Sequence, residues 1–158
     1  MSTQIIATVD PTRSRTDART ADGHSVVMDT VPPEGDDSAA GPKEALLAAL
    51  AGCTGMDVAS ILRKKRQVAD TYEITVSGES ATAHPKVFTA INVEHRVTGA
   101  VEPEALRRAI ELSATHYCPV NAMLSAVARI EHRYHLTDPD GAAHQALASV
   151  IGPDAVLT

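Results

Sequence analysis

Aromatic residues are scarce in this chain: they make up 3% of it, with no Trp and a single Phe. A core drawn from such a sequence must be aliphatic and rich in Ala. Single-stranded nucleic acid is normally held on aromatic stacking platforms, so that class of partner is not expected. Positive charge is short as well, with 14 basic against 20 acidic residues and a formal charge of −6. A phosphate-binding surface needs a basic patch. The one basic cluster, Arg63-Lys64-Lys65-Arg66, falls at the predicted end of a helix, where cations complement the dipole and need no partner. No stretch approaches the roughly 18–20 apolar residues of a bilayer crossing. Residues Met1 to Val9 also lack the charged start and long apolar run of a secretory signal. A cytoplasmic protein without nucleic-acid or membrane partners is expected.

Cysteine is also rare, with two in the chain, Cys53 and Cys118. In a reducing compartment a permanent disulfide is improbable, which leaves inert packing, redox chemistry or metal ligation. His116 and Cys118 are two possible ligands, but no second pair stands at zinc spacing, so neither a metal nor a cofactor is expected.

What is present is the balance of a soluble globular domain: 44% hydrophobic and 22% charged residues in a chain of 158. Residues 4–9 read as a strand, followed by a turn-prone, arginine-bearing stretch with Arg13, Arg15 and Arg19. Asp22-Gly23 signals a hairpin, with a strand His24–Asp29 beyond it. Residues 32–42 form a polar loop, and Pro42 suits the first turn of a long helix running to about Arg63. Ala45–Ala51 is apolar on every side, implying burial on every side. Gly52 and Gly55 each weaken that helix by about 1 kcal/mol relative to Ala, so close approach of another backbone is expected there. Thr71–Gly78 and Phe88–Thr98 alternate as half-buried strands, the second with Ile91, Val93, His95 and Val97 inward. A helix opens at Glu102-Pro103 with Leu106, Ala109, Ile110 and Ser113 on its inner stripe. Pro119 breaks it and starts a short third helix through Ser125. Ala128–Leu136 is a strand facing Ile130, His132, Tyr134 and Leu136 inward. His95 and His132 are expected to be satisfied core residues. Gly141–Thr158 is open between a short helix at Ala142–Val150 and a loose tail. The order defines an α+β protein, a single domain over 1–136 with an extension of unknown role over 137–158.

Cys118 sits where a helix begins, and free N–H groups and the positive dipole end favour a thiolate there. Cys53 lies mid-helix, where neither end helps. Lowering an ordinary thiol by two to three pH units takes roughly 3–4 kcal/mol. One partly shielded guanidinium at about 4 Å can supply that, and the N-terminal hairpin holds three candidates.

Two stretches carry a resemblance that narrows these alternatives. Gly41-Pro-Lys-Glu-Ala-Leu-Leu-Ala-Ala-Leu-Ala-Gly-Cys53 is similar to the cysteine helix of the OsmC/Ohr family, the osmotically inducible and organic hydroperoxide resistance proteins. Ser113-Ala-Thr-His-Tyr-Cys118-Pro-Val-Asn-Ala resembles the family's second, Cys-Pro motif. The cysteines are 65 positions apart, close to the family's spacing. Gly23-His24 and Asp57–Leu62 look most like the YhfA-like branch. The resemblance spans roughly residues 4–136.

The resemblance implies antiparallel sheets wrapped around long central helices in an intertwined homodimer, which would also explain a helix apolar on all sides. It implies a thiol peroxidase: Cys53 attacks an organic hydroperoxide and becomes a sulfenic acid, Cys118 condenses with it to a disulfide, and an external dithiol such as a lipoylated protein reduces the pair. Arg15 aligns with the family's activating arginine, with Arg13 and Arg19 as alternatives. Glu44 is the candidate for its carboxylate partner, although it stands one position later than in the hydroperoxide-resistance branch, where Lys43 now sits. The alternative role is a family-fold dimer without efficient peroxidase activity, serving as a small apolar ligand binder or redox sensor.

Overall fold

The computed structural model describes residues 2–153, which fall into two compact units, one up to Leu46 and one from Leu47 onward. The first contains an antiparallel sheet in the order β1 (Ile5–Val9), β2 (Thr16–Thr20), β3 (Ser25–Met28). β2 lies within the stretch expected to be turn-prone. The turn from β2 to β3 closes where Thr20 N–H donates to the His24 carbonyl at 2.9 Å. Gly23 takes φ +87° there, a conformation that side chains resist. Asp29, buried at the sheet's end, organises the following loop by accepting from Ser38 N at 3.0 Å and Ser38 Oγ at 2.6 Å. Those donors, together with Thr30 N–H, hold its carboxyl down at about 2.

The long helix α1 runs from Pro42 to Lys64, matching the expected span. Its four buried residues, Leu50, Thr54, Val58 and Leu62, recur every four positions and make one stripe. The opposite face, about 200° around the helix, carries Ala48, Gly52 and Met56, all exposed. Burial on every side is therefore not met within one chain. Nor is the expected close backbone at the glycines: a Cβ on Gly52 would meet nothing within 4 Å, and one on Gly55 only the Ile74 side chain. By length and composition α1 could also span a bilayer, having an 18-residue window of mean hydropathy 1.8. Ala, Leu, Val, Ile, Met and Cys bring it to that level, and Gly52, Thr54, Gly55, Asp57 and Ser60 interrupt the apolar run.

The second unit is built on a four-stranded sheet in the order β4 (Val68–Ser80), β5 (Phe88–Ala100), β6 (Arg129–Thr137), β7 (Ala143–Ile151). β4 and β5 form an antiparallel hairpin, as do β6 and β7. The middle pairing departs from the antiparallel expectation: β5 and β6 run parallel, with Ile91 opposite Ile130 and Val93 opposite His132. Parallel neighbours need a crossover, here α2 (Pro103–Leu112), a π-helical turn (Ser113–Tyr117) and α3 (Pro119–Ser125). Residues 143–151 are neither helix nor loose tail; they pair with β6 along its length as the edge strand β7.

Two aliphatic clusters fill the space between α1, the crossover and the sheet. Val58, Leu62, Val97, Leu106, Ile110 and Leu136 form one. Leu50, Ile91, Val93, Cys118, Leu124 and Ile130 form the other. The inward stripes expected on β5, α2 and β6 are all buried.

Candidate functional site: a two-cysteine cluster

Cys118 owes its position to a break in the crossover. The π-helical turn ends when Cys118 N–H donates to the Ser113 carbonyl at 2.9 Å. Pro119 then pushes Cys118 into extended backbone, φ −75° and ψ 105°, so that it caps α3. Its sulfur accepts from Asn121 N–H at 3.3 Å and from the Thr54 hydroxyl of α1 at 3.7 Å. The residue is only 3% exposed.

Cys53 is half-buried on α1, and Asp57 lies four residues on, on the same helix face. The two sulfurs and an Asp57 carboxylate oxygen all lie within 4.8 Å of one another. Ser113 Oγ donates to Asp57 Oδ2 at 3.1 Å. Both thiols are free. Burial and then the hydrogen bond with Cys118 push the Cys53 thiol up to about 11, and the Asp57 charge adds to the effect. Desolvation and neighbouring negative charge both disfavour a second anion here.

A buried polar chain leads away from Cys118. The Asn121 amide donates to the Ala114 carbonyl at 2.8 Å, which leaves Asn121 Oδ1 as the acceptor for His132 Nε2 at 3.0 Å. His132 Nδ1 must then accept from His95 Nε2, 3.2 Å away, and His95 Nδ1 from the Tyr72 hydroxyl at 2.7 Å. Both rings are neutral in this scheme. Burial pushes His95 down to about 3, with help from His132, and His132 down to about 4. Burial also raises the Tyr72 hydroxyl well above its usual range. The two histidines are satisfied core residues, as expected.

Of the four residues singled out from the sequence, Cys53 and Cys118 are brought together in the second unit. Arg15 and Glu44 belong to the first, where each has local partners. Arg15 Nη1 donates to Ser38 Oγ at 2.5 Å, and its Nε lies 3.9 Å from Asp17. Glu44 accepts from Gly41 N–H at 2.7 Å across the start of α1. Arg13 pairs with Asp36. Asp57, Thr54, Ser113 and Asn121 were not anticipated. Asp57 had a signal, an acid one helical turn after the cysteine, and Asn121 stands three residues into a helix opened by Cys-Pro.

A family model described as OsmC-like protein matches residues 35–142, and the chain belongs to that family. It is 38% identical over 117 residues to Protein YhfA of Escherichia coli K12, an alignment covering 73% of this chain and 85% of that protein. Among solved structures, an OsmC-like protein from Mycoplasma pneumoniae superposes with a TM-score of 0.75 at 19% identity, covering 86% of this chain and 97% of the other. A Legionella pneumophila protein described as an organic hydroperoxide resistance protein superposes at 0.63 with 15% identity, covering 84% and 95%. The α+β architecture is thus the OsmC fold, and family neighbours are described by resistance to organic hydroperoxides.

Proposed function

We propose that the chain is a cytoplasmic thiol peroxidase for organic hydroperoxides, with Cys53 as the attacking and Cys118 as the resolving thiol. The observation that carries this reading is the approach of the two sulfurs to within 4.8 Å in one compact unit. The Cys53 thiolate attacks the terminal peroxide oxygen, the O–O bond breaks, and the alkoxide leaves as an alcohol after taking a proton. Cys53 is then a sulfenic acid. The Cys118 thiolate attacks that sulfur, a disulfide forms, and hydroxide leaves as water. An external dithiol, a lipoylated protein among the candidates, returns the pair to thiols and is itself oxidised to a disulfide. The family resemblance assigns the activation of Cys53 to Arg15, with Glu44 as that arginine's carboxylate partner. Leu47, Ile74, Val76 and Val120, packed with Cys53 against the aliphatic cluster that includes Cys118, favour an organic over an inorganic peroxide.

The reduced chain treated with cumene hydroperoxide should lose both thiols stoichiometrically, and mass spectrometry should find Cys53 joined to Cys118 within one chain. A linkage between chains would break the cycle.

The alternative, a redox sensor or apolar ligand binder, is favoured by one observation, the upward push on the Cys53 thiol. Thiol loss over hours rather than seconds would select it.

The working form is a homodimer in which the exposed Ala48–Gly52–Met56 face of α1 packs against the second copy. Met56 is 71% exposed in the single chain. Met56→Glu should convert the dimer to a monomer in analytical ultracentrifugation; an unchanged sedimentation coefficient would place the seam elsewhere.

A further inference from the structure

We propose that Cys53, Asp57 and Cys118 also form a binding site for a thiophilic divalent cation of the zinc class. Two sulfur donors and one carboxylate are the donor set that such ions select, and hard oxygen-seeking ions such as Mg²⁺ are disfavoured by it. The three donors come from one turn of α1 and from the cap of α3, and their ligating atoms lie within 4.8 Å of one another. In a tetrahedral zinc site, sulfurs at the usual bond length stand roughly 3.8 Å apart. Side-chain adjustments on the order of an ångström close the site.

The surroundings support that assignment. Asp57 forms no ion pair among the described residues. Its carboxylate is aimed instead at two thiols, steadied by the Ser113 hydroxyl. Asn121 N–H and the Thr54 hydroxyl point at Cys118 Sγ, which is how outer groups orient a metal-bound thiolate. Cys118 is buried while Cys53 and Asp57 are half-exposed, so the site has a dry back and an open front. Three protein ligands leave the fourth position on that front for water or a small anion. Binding converts two thiols to thiolates and releases their two protons to solvent. The same sulfurs cannot hold a cation and be joined to each other. Oxidation of the pair by a hydroperoxide, which takes two electrons from the sulfurs into the O–O bond, therefore releases the ion. Peroxide is thus read out as free metal.

The test uses the full reduced chain without oxygen, with Cd²⁺ as the probe. Titration should give a sulfur-to-cadmium charge-transfer band in the ultraviolet that saturates at one ion per chain, and Zn²⁺ should compete it away. Cys118→Ser should abolish the band. Asp57→Asn, at a half-exposed position, keeps the thiols and the fold, as circular dichroism would verify, and should weaken Cd²⁺ affinity at least tenfold. Affinity unchanged in Asp57→Asn, or no saturating band in the parent, would overturn the proposal. The assignment does not rest on peroxidase activity. A chain that binds cadmium yet ignores peroxide would keep the metal site and lose the enzyme, and the opposite pattern would lose the metal site alone.

Discussion

Between pH 7 and pH 4 the chain is expected to lose about 5 kcal/mol of folding stability, through His95 and His132. In the unfolded chain each imidazole takes up its proton near pH 6.5. In the folded chain burial holds them at about 3 and about 4, and neither side chain has any exposed surface. Over this window the unfolded state binds more protons than the folded one, so stability falls as pH falls, and the loss is complete only below the folded values. A protonated His132 would present two N–H donors to His95 and Asn121, and His95 Nε2 would have to become an acceptor. His95 Nδ1–H would then donate to the Tyr72 oxygen, so the chain of hydrogen bonds reverses and the Tyr72 hydroxyl proton loses its acceptor within it, leaving the buried charge itself as the main cost. Carboxylates whose folded values are lowered, such as Glu104, Glu131 and Asp138, contribute their loss at still lower pH. The measurement is urea unfolding at half-unit steps of pH. A midpoint that holds constant from pH 7 to pH 5 would show the histidines to be solvated. Since whole domains are stable by only about 5–15 kcal/mol, the predicted loss is a third or more of the whole.

Arg15→Ala is expected to cut the rate of hydroperoxide consumption at pH 7 by roughly a hundredfold or more. Burial, Cys118 and Asp57 push the Cys53 thiol up to about 11, with no arginine among the causes. Since the attacking species is the thiolate, the proposed cycle needs a cation brought to that sulfur in the working form. A guanidinium is the natural compensation for burial, for Cys118 and for Asp57, all of which work against the anion. Removing it should also change the shape of the pH profile. The parent rate should level off near neutrality, while the variant's rate should climb about tenfold per unit toward pH 10. An Arg15→Ala rate equal to the parent's would move the role to Arg13 or Arg19. Arg15→Lys, which keeps charge without the planar fork, should recover part of the rate.

Much of this was legible because the pattern was local. Pro42 and Pro119 mark helix starts, and the alternation through Ile91, Val93, His95 and Val97 fixes which side of β5 is buried. The Cys-Pro break at residue 118 follows from backbone sterics alone. β7 was not legible, since Ala143–Ile151 is Ala-rich and only partly buried on either side, so its pairing with β6 outweighs local propensity. The parallel register of β5 and β6 has no sequence signal of its own. For the same reason the place of Asp57 beside the two thiols has no sequence signal beyond its spacing from Cys53: it matters only once the crossover lays Cys118 against α1. The single chain covers one stripe of α1, because composition reports hydrophobicity without saying whether the chain's own core or a second molecule will cover a face.

The crossover has a consequence for biogenesis. Because β5 meets β6 only after α2, the π-helical turn and α3 have been passed, a growing chain carries both cysteines before it owns His132, whose ring meets Asn121 at the far end of the helix cap on Cys118. The polar surroundings of Cys118 are therefore complete only once residues 129–137 have joined the sheet.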